Sequence, residues 1–294
     1  MTTTSRYSWG GDEHLVLQLS EEMTLEANLR AMSITKKVAE RDLPGIIDIC
    51  PSNASFLIRF NPDVMPPDQL KATVEECEAE VGDSHSLQLD TRIIEVPVWY
   101  DDPYTSEVLH RFRDRHQRPE GNDLDFAAIE NGLADAQAVI EAHHASPWIT
   151  SMVGFVAGLP FMFQMVERER QLEVPKYVRP RTDTPPLTVG HGGCFAVVYS
   201  VRGAGGYQMF GITPIPIFDP AQRMADFSDF MVFFRPGDIV KFRPIDEAEY
   251  ERLKTEVEDG TYRYRTADVK FDLDEFQADP DGYNARLVEA LNEQ

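Results

Sequence analysis

Gly203-Ala204-Gly205-Gly206-Tyr207-Gln208-Met209-Phe210-Gly211-Ile212-Thr213-Pro214 is the densest part of a stretch that runs from His143 to Pro214, and its reading decides the fold. Glycine loses more conformational freedom than any other residue when it is ordered. This run, with Gly154, Gly158, Gly190, Gly192 and Gly193, therefore marks tight bends or close approach to the main chain. Residue types alone leave two readings open. One is a β-barrel whose corners require glycine; the other is a site where backbone N–H groups meet a ligand. Outward from the run, between Trp148 and Asp246, short apolar runs alternate with Gly and Pro and no long amphipathic helix intervenes. Many short strands at that spacing predict a closed or nearly closed barrel.

Towards the N-terminus the periodicity changes. His14–Leu19 reads as a strand, and Thr24 caps a helix in which Leu25, Leu29 and Met32 share a face. Pro44-Gly45 stops it. Two strand-like runs, Gly45–Cys50 and Ser55–Phe60, flank the turn residues Pro51-Ser52-Asn53-Ala54. Pro66-Pro67-Asp68 starts a second helix with Leu70, Val74, Cys77 and Val81 on one face, and Arg92–Tyr100 returns as a strand. The βαββαβ order is the ferredoxin-like split pattern, which predicts a small α+β domain over residues 10–92 and a mainly β domain over 93–245. Cys77, on the apolar stripe, reads as a buried thiol.

Pro103–Asn122 concentrates His110, Arg111, Arg113, Arg115, His116 and Arg118. Such a segment is either a solvated surface helix answering nearby carboxylates or a contact for a partner or an anionic substrate. Ala127, Ala128, Leu133, Ala136, Val139 and Ile140 then give a helical reading as far as His143. Arg235-Pro236-Gly237-Asp238 reads as a turn, with Val240 and Phe242 beyond it on one face. Residues 246–294 form a C-terminal extension: an acidic helical stretch to Glu258, an alternating strand over Thr261–Phe271 and a short helix over Tyr283–Leu291. Such a tail covers a sheet edge or docks a partner.

Composition excludes several function classes. The 294 residues, 42% of them hydrophobic, are enough for two cores. Fifty acidic against 28 basic residues give a formal net charge of −22, which repels nucleic acid and anionic membranes. Cys50, Cys77 and Cys194 form no CxxC pair, so neither a disulfide framework nor a zinc site is expected, in keeping with a cytoplasmic protein. Met1–His14 lacks an apolar signal core, and the apolar region near Met152–Phe163 is too short and broken to span a bilayer. No HExxH, Walker loop, GxSxG elbow or nucleotide-binding GxGxxG occurs.

Four motifs in collinear order carry a family resemblance. They are Gly154-Phe155-Val156-Ala157-Gly158-Leu159-Pro160-Phe161, Pro180-Arg181-Thr182, Gly205-Gly206-Tyr207 with Gly211-Ile212-Thr213-Pro214, and Arg235-Pro236-Gly237-Asp238-Ile239-Val240-Lys241-Phe242. Over roughly residues 10 to 245 the chain resembles the family of the kinase inhibitor KipI, the smaller subunit of bacterial 5-oxoprolinase and allophanate hydrolase subunit 1. The same module forms half of the carboxyltransferase domain of urea carboxylase. The resemblance implies a cyclophilin-like barrel after the ferredoxin-like domain, and it marks residues 103–122 as an insertion.

Resemblance and residue chemistry together name the candidate site. His143 stands where the family has a histidine; it reads as a general acid or base, or equally as a cap on the last helix carbonyls. Arg181 is a planar bidentate donor for a carboxylate, carbamate or phosphate. These two are the catalytic candidates. Phe155, Gly158, Gly205, Gly206, Tyr207, Gln208 and Thr213 are the substrate-binding candidates. Ile212 and Cys194 join them as departures: Ile212 replaces a family arginine, and Cys194-Phe195-Ala196 replaces a polar run. Cys194 is also a nucleophile candidate, although its apolar neighbours predict a raised pKa and an inert thiol. If both departures line the groove, the substrate is bulkier or less polar than in the family; if they face the barrel interior, they only repack it.

By resemblance the chain is expected to act with a larger partner of the KipA type, equivalent to the C-type component of 5-oxoprolinase or to allophanate hydrolase subunit 2. The expected reaction is ATP-dependent hydrolysis of a lactam or amide, or carboxyl transfer with biotin, and no metal. The alternatives are a non-catalytic inhibitor of a histidine kinase, as KipI is, and a degenerate binding module.

Overall fold

Thr24 opens the first helix of the computed structural model, which describes residues 5–82 and 87–293. Its hydroxyl accepts the Ala27 N–H at 3.1 Å, and α1 (Leu25–Glu40) turns Leu25, Leu29 and Met32 inward. Around it stand β1 (Arg6–Trp9), β2 (His14–Gln18), β3 (Ile46–Ser52), β4 (Ser55–Phe60) and α2 (Pro67–Val81). The strands pair antiparallel in the order β1-β2-β4-β3. Leu15, Leu17, Ile34, Phe56, Ile58, Leu70, Val74 and Cys77 form the core beneath that sheet. This unit takes in the described residues up to Asp90, with Lys270–Asp279.

One strand of the βαββαβ reading goes elsewhere. The strand expected over Arg92–Tyr100 forms as part of β5 (Gln88–Tyr100), but it lies in a second, larger sheet, and β1 fills the edge beside β2. The reason lies in the side chains. Ile93, Ile94, Val96 and Val98 are all fully buried, so β5 is apolar on both faces and suits the middle of a covered sheet. The four-residue β1 is mostly exposed and suits an edge.

The second unit, Thr91–Val269 with the described residues from Pro280, is built on that larger sheet. Its strands are β5, β6 (Trp148–Val153), β7 (Pro160–Gln164), β9 (Thr188–Gly192), β10 (Phe195–Val198), β12 (Gln208–Ile212), β13 (Ile239–Pro244) and β14 (Thr266–Asp272). The order is β12-β9-β10-β7-β6-β13-β5-β14, and a further pairing of β12 with β5 closes the first seven into a ring. β13 runs parallel to β5, from Ile239 opposite Ile93 to Pro244 opposite Val98. At the closure Gly211 faces Tyr100 and Ile212 faces Trp99. Here glycine is a requirement: a Cβ on Gly211 would sit 2.9 Å from the Tyr100 Cα and against the Trp99 carbonyl. A separate two-stranded ribbon pairs β8 (Arg181–Thr184) with β11 (Gly203–Gly205).

Pro103–Asn122 contains α3 (Pro103–Arg111), capped by the Asp102 carboxylate. The helical reading from Ala127 to His143 resolves into two helices, α4 (Asp123–Glu130) and α5 (Ala136–Ala145). Asn131 ends the first, Gly132 takes φ +64°, and the Asp135 side chain caps the second by accepting the Ala138 N–H at 2.9 Å. Beyond Ile245 come α6 (Glu247–Glu258), β14, α7 (Leu273–Ala278) and α8 (Pro280–Asn292), with β14 hydrogen-bonded along the free side of β5. Asp238 of the Arg-Pro-Gly-Asp turn accepts Nε and Nη2 of Arg92 at 3.0 and 2.8 Å and the Arg235 N–H at 2.8 Å, so the turn anchors the start of β13. Among the described residues no helix is long and apolar enough to cross a membrane.

Candidate functional site

The β8–β11 ribbon sets Gly205 opposite Arg181 and Gly203 opposite Thr184. Side chains crowd this pair. A Cβ on Gly205 would meet the Tyr199 hydroxyl at 2.5 Å and Thr184 Oγ1 at 2.6 Å, so only glycine fits. Arg181 itself is fully buried. Its Nε donates to Thr184 Oγ1 at 3.3 Å, its guanidinium carbon lies 4.4 Å from the centre of the Tyr177 ring, the Tyr177 and Tyr199 hydroxyls lie close by, and among the described residues Nη1 and Nη2 make no well-formed hydrogen bond. A guanidinium keeps its charge under burial, so two unfilled donor groups are costly unless something else answers them.

Part of the answer is Asp123, the first residue of α4, which is 1% exposed. Its carboxylate accepts the Tyr177 hydroxyl at 2.8 and 3.0 Å and the Met209 N–H at 2.7 Å, and His116 Nε2 lies 3.6 Å away. Burial pushes the Asp123 carboxyl above the usual carboxylate range, against the pull of the Met209 N–H, Tyr177, Arg181 and His116. His116 Nε2 also lies 2.9 Å from Gln208 Oε1, whose amide donates to the Pro175 carbonyl at 2.7 Å. The segment over residues 103–122 thus delivers His116 to a buried polar chain that ends at Arg181. Its arginines do other work. Arg111 pairs with Asp183 at 3.1 Å, Arg115 donates to the Pro180 carbonyl at 2.6 Å, and Arg113 donates to the carbonyls of Pro119 and Gly121.

Beside Arg181 lies a cavity of about 400 Å³. Phe155, Leu159, Phe161, Val197, Tyr199 and Tyr207 form its apolar walls, Gly205 and Gly206 contribute backbone, and Tyr177, Pro180, Lys176 and Ala204 complete the lining. Phe155, in the β6–β7 loop, is 68% exposed and holds φ +69°, a left-handed conformation that costs a bulky residue energy and that clusters at ligand clamps. Gly158, at φ +78°, turns the same loop against Phe218. Burial raises the phenols of Tyr177, Tyr199 and Tyr207, so all three stay protonated.

The predicted residues therefore divide. Phe155, Gly205, Gly206 and Tyr207 meet at the cavity; Arg181 and Gln208 belong to the polar chain behind it. His143 does not join them. It is fully buried inside the barrel, stacked on Phe242 at 4.7 Å, with Nδ1 2.8 Å from the Tyr100 hydroxyl and, among the described residues, Nε2 without a partner. Burial, with His191, His144 and Lys241 nearby, holds its pKa well below the usual value. Thr213 is fully buried, its N–H donating to the Leu187 carbonyl at 2.9 Å. Ile212 and Ala196 lie in the main barrel core and Cys194 in the turn before β10; none of the three lines the cavity. Ile212 and Ala196 thus sit in the position of core-packing residues. Burial raises the Cys194 thiol. Tyr177, Tyr199, Lys176 and Asp123 carry no signal in the sequence, because Asp123 looks like an ordinary first-turn acid and the others like strand or loop residues. Among the described residues no three metal-ligating side chains converge.

Residues 5–227 match the family described as carboxyltransferase domain, subdomain C and D. The B-type component of 5-oxoprolinase from Bacillus subtilis (strain 168) is 27% identical over 266 residues, which are 87% of this chain and 99% of that protein. Its counterpart from Escherichia coli O157:H7 is 29% identical over 239 residues, 81% of this chain and 94% of that one. The crystal structure of the Kluyveromyces lactis urea amidolyase superposes with a TM-score of 0.84 at 24% identity over 98% of this chain, which spans only 18% of that much longer protein.

Proposed function

The chain belongs to the carboxyltransferase subdomain C and D family, and from that premise we propose that it is the smaller subunit of a cytoplasmic, two-subunit, ATP-dependent amide or lactam hydrolase of the 5-oxoprolinase type. Similarity to B-type 5-oxoprolinase components over nearly their whole length supports this reading, and so does the designation of those relatives as subunits. The observation that carries it is Arg181: a buried guanidinium with two unfilled donor groups, paired in register with Gly205 on the cavity wall. Fixed donors at a dry site favour the charge that develops on a carbonyl oxygen far more than donors in water do.

In this reading Arg181, buried behind the cavity wall, holds Tyr177 in place and lends its charge to the amide or its adjoining carboxylate, Gly205, Gly206, Tyr207 and Phe155 shape the pocket, and His143 holds the barrel interior. The smaller unit is taken as ferredoxin-like with β1 in the place of its last strand, and the ring of strands as cyclophilin-like. The glycine run lies on β11 and the turn before β12, not at a helix start, so it offers ATP phosphates no helix-end cradle. ATP is accordingly assigned to the assembled complex, and biotin enters only if the reaction is a carboxyl transfer. The partner is a larger protein of the KipA type, equivalent to the C-type component of 5-oxoprolinase or to allophanate hydrolase subunit 2.

Co-expression with such a partner from the neighbouring gene, followed by size-exclusion chromatography and an ATP-dependent hydrolysis assay on 5-oxoproline, allophanate and larger amides, tests the proposal. One co-eluting, ATP-hydrolysing complex is expected. Separate peaks at micromolar concentration, with inhibition of a histidine kinase by the chain on its own, would replace it with the KipI-like role.

A further inference from the structure

Resting on that reading of the site, we propose that the cavity beside Arg181 selects an amide or lactam that carries both an aromatic group and a carboxylate, rather than a bare five-membered lactam. Size and surface both favour such a ligand. About 400 Å³ falls in the range of pockets that take drug-sized ligands, and a five-membered lactam acid fills only a fraction of it. Small polar substrates need polar walls, whereas here the walls are rings. Phe161 meets Tyr207 edge to face at 6.2 Å and 82°, and Phe195 from behind at 5.9 Å and 87°. The Tyr177 hydroxyl is committed to Asp123. An aromatic substituent completes such an array, because rings prefer edge-to-face neighbours.

Charge favours it too. Among the described residues Lys176 is the one charged side chain on the lining. Its Nζ lies 5.0 Å from the centre of the Tyr207 ring, and among the described residues it forms no ion pair. In a chain with 50 acidic residues against 28 basic, a lysine left without a carboxylate stands ready for one brought by a ligand. Its contact with Tyr207 places the anion next to the aromatic wall. The exposed, left-handed Phe155 is the third element. Its backbone strain is answered when its ring covers an apolar ligand.

Titration calorimetry of the full chain tests this with three amides: phenylacetylglycine, N-acetylglycine, which lacks the ring, and phenylacetylglycinamide, which lacks the charge. Phenylacetylglycine is expected to bind at least about tenfold more tightly than N-acetylglycine and about fivefold more tightly than the carboxamide. Phe155→Ser should shrink the first ratio, and Lys176→Gln should abolish the second. Equal affinity with and without the ring, survival of the carboxylate preference in Lys176→Gln, or displacement of the probe by an aromatic side chain of the larger partner would each overturn the proposal. The outcome is separable from that of the proposed function. If the ratios hold while the assembled complex hydrolyses no amide, this inference stands and the enzymatic reading falls. If the complex turns over 5-oxoproline efficiently and phenylacetylglycine does not compete, the reverse is true.

Discussion

His143 and Arg181 are both fully buried, both can carry positive charge, and the sequence marks both as catalytic candidates, yet their surroundings could hardly differ more. His143 sits among Phe242, Trp148, Phe210 and His191, where desolvation removes its charge. Arg181 lies over the face of Tyr177 near the Asp123 carboxylate, which also accepts the Tyr177 hydroxyl. A histidine can answer burial by losing its proton, whereas an arginine cannot, so the protein must supply partners. Equal burial therefore means opposite things: the imidazole has become part of a packed interior, and the guanidinium keeps its charge and draws Tyr177 and Asp123 around it.

Closing the barrel is what creates the interior half of this comparison, and breaking the closure carries the largest expected effect. Gly211→Ala would force a methyl group against the Trp99 carbonyl and the Tyr100 Cα, both backbone atoms of a facing strand. We expect a loss of more than about 3 kcal/mol, beyond the usual range of overpacking, because a strand rather than a side chain must move. Chemical denaturation followed by tryptophan fluorescence checks it; a change below about 1 kcal/mol would mean that the β12–β5 pairing is soft.

Acid separates the two regions next. Burial lowers both His143 and His191, the latter to about 4, below the ordinary value of about 6.5. Between the unfolded and folded values the unfolded chain binds more protons. Stability is thus fully present above about pH 6.5 and is lost as pH falls towards the folded values, by about 1.4 kcal/mol per pH unit for each imidazole. Asp102 and Asp123, raised by burial, act with the opposite sign. His191→Phe, which preserves the stack on Phe210, should reduce the loss between pH 6 and 5, leaving the share of His143 and His144, which burial also lowers. An unchanged slope would place the acid sensitivity outside the barrel interior.

Arg181→Lys probes the other half. The charge survives, but the planar stack on Tyr177 and the fork of donors do not, so stability should fall by about 1 kcal/mol and ligand affinity by about tenfold. Full burial of Arg181 is why the substitution should cost stability as well as affinity. If affinity holds while stability falls, Arg181 is a packing residue.

How far these regions are legible depends on the range of the interactions that build them. Thr24, Pro67 and the apolar spacing of Leu70, Val74 and Cys77 are local signals, and α1 and α2 begin where those signals stand. Gly205, Gly206 and Tyr207 are legible through their unusual composition. The register of Arg181 with Gly205, the contact of Tyr177 with Asp123, and the exchange of β1 for the strand after α2 are pairings between distant segments, and no periodicity encodes them. Asp123 illustrates the limit: its position after Asn122 announces a helix start, while its burial depends on Met209 and Tyr177 closing over it.

The smallest effects are expected at Ile212 and Cys194. Ile212 lies in the barrel core opposite Trp99, and Cys194 follows the Gly193 turn, half-buried and away from the cavity. Ile212→Val removes one methyl group and should cost about 1 kcal/mol. Cys194→Ala should cost less, since burial leaves a protonated thiol that behaves as a small apolar group. Neither variant should change the ratio of affinities for phenylacetylglycine and N-acetylglycine by more than about twofold, because neither side chain borders the ligand. Calorimetry on both, beside Phe155→Ser as the positive control, decides the matter. A shift in that ratio at Ile212 would show that the barrel interior and the cavity exchange strain through β12, and the division between the two regions would then have to be redrawn.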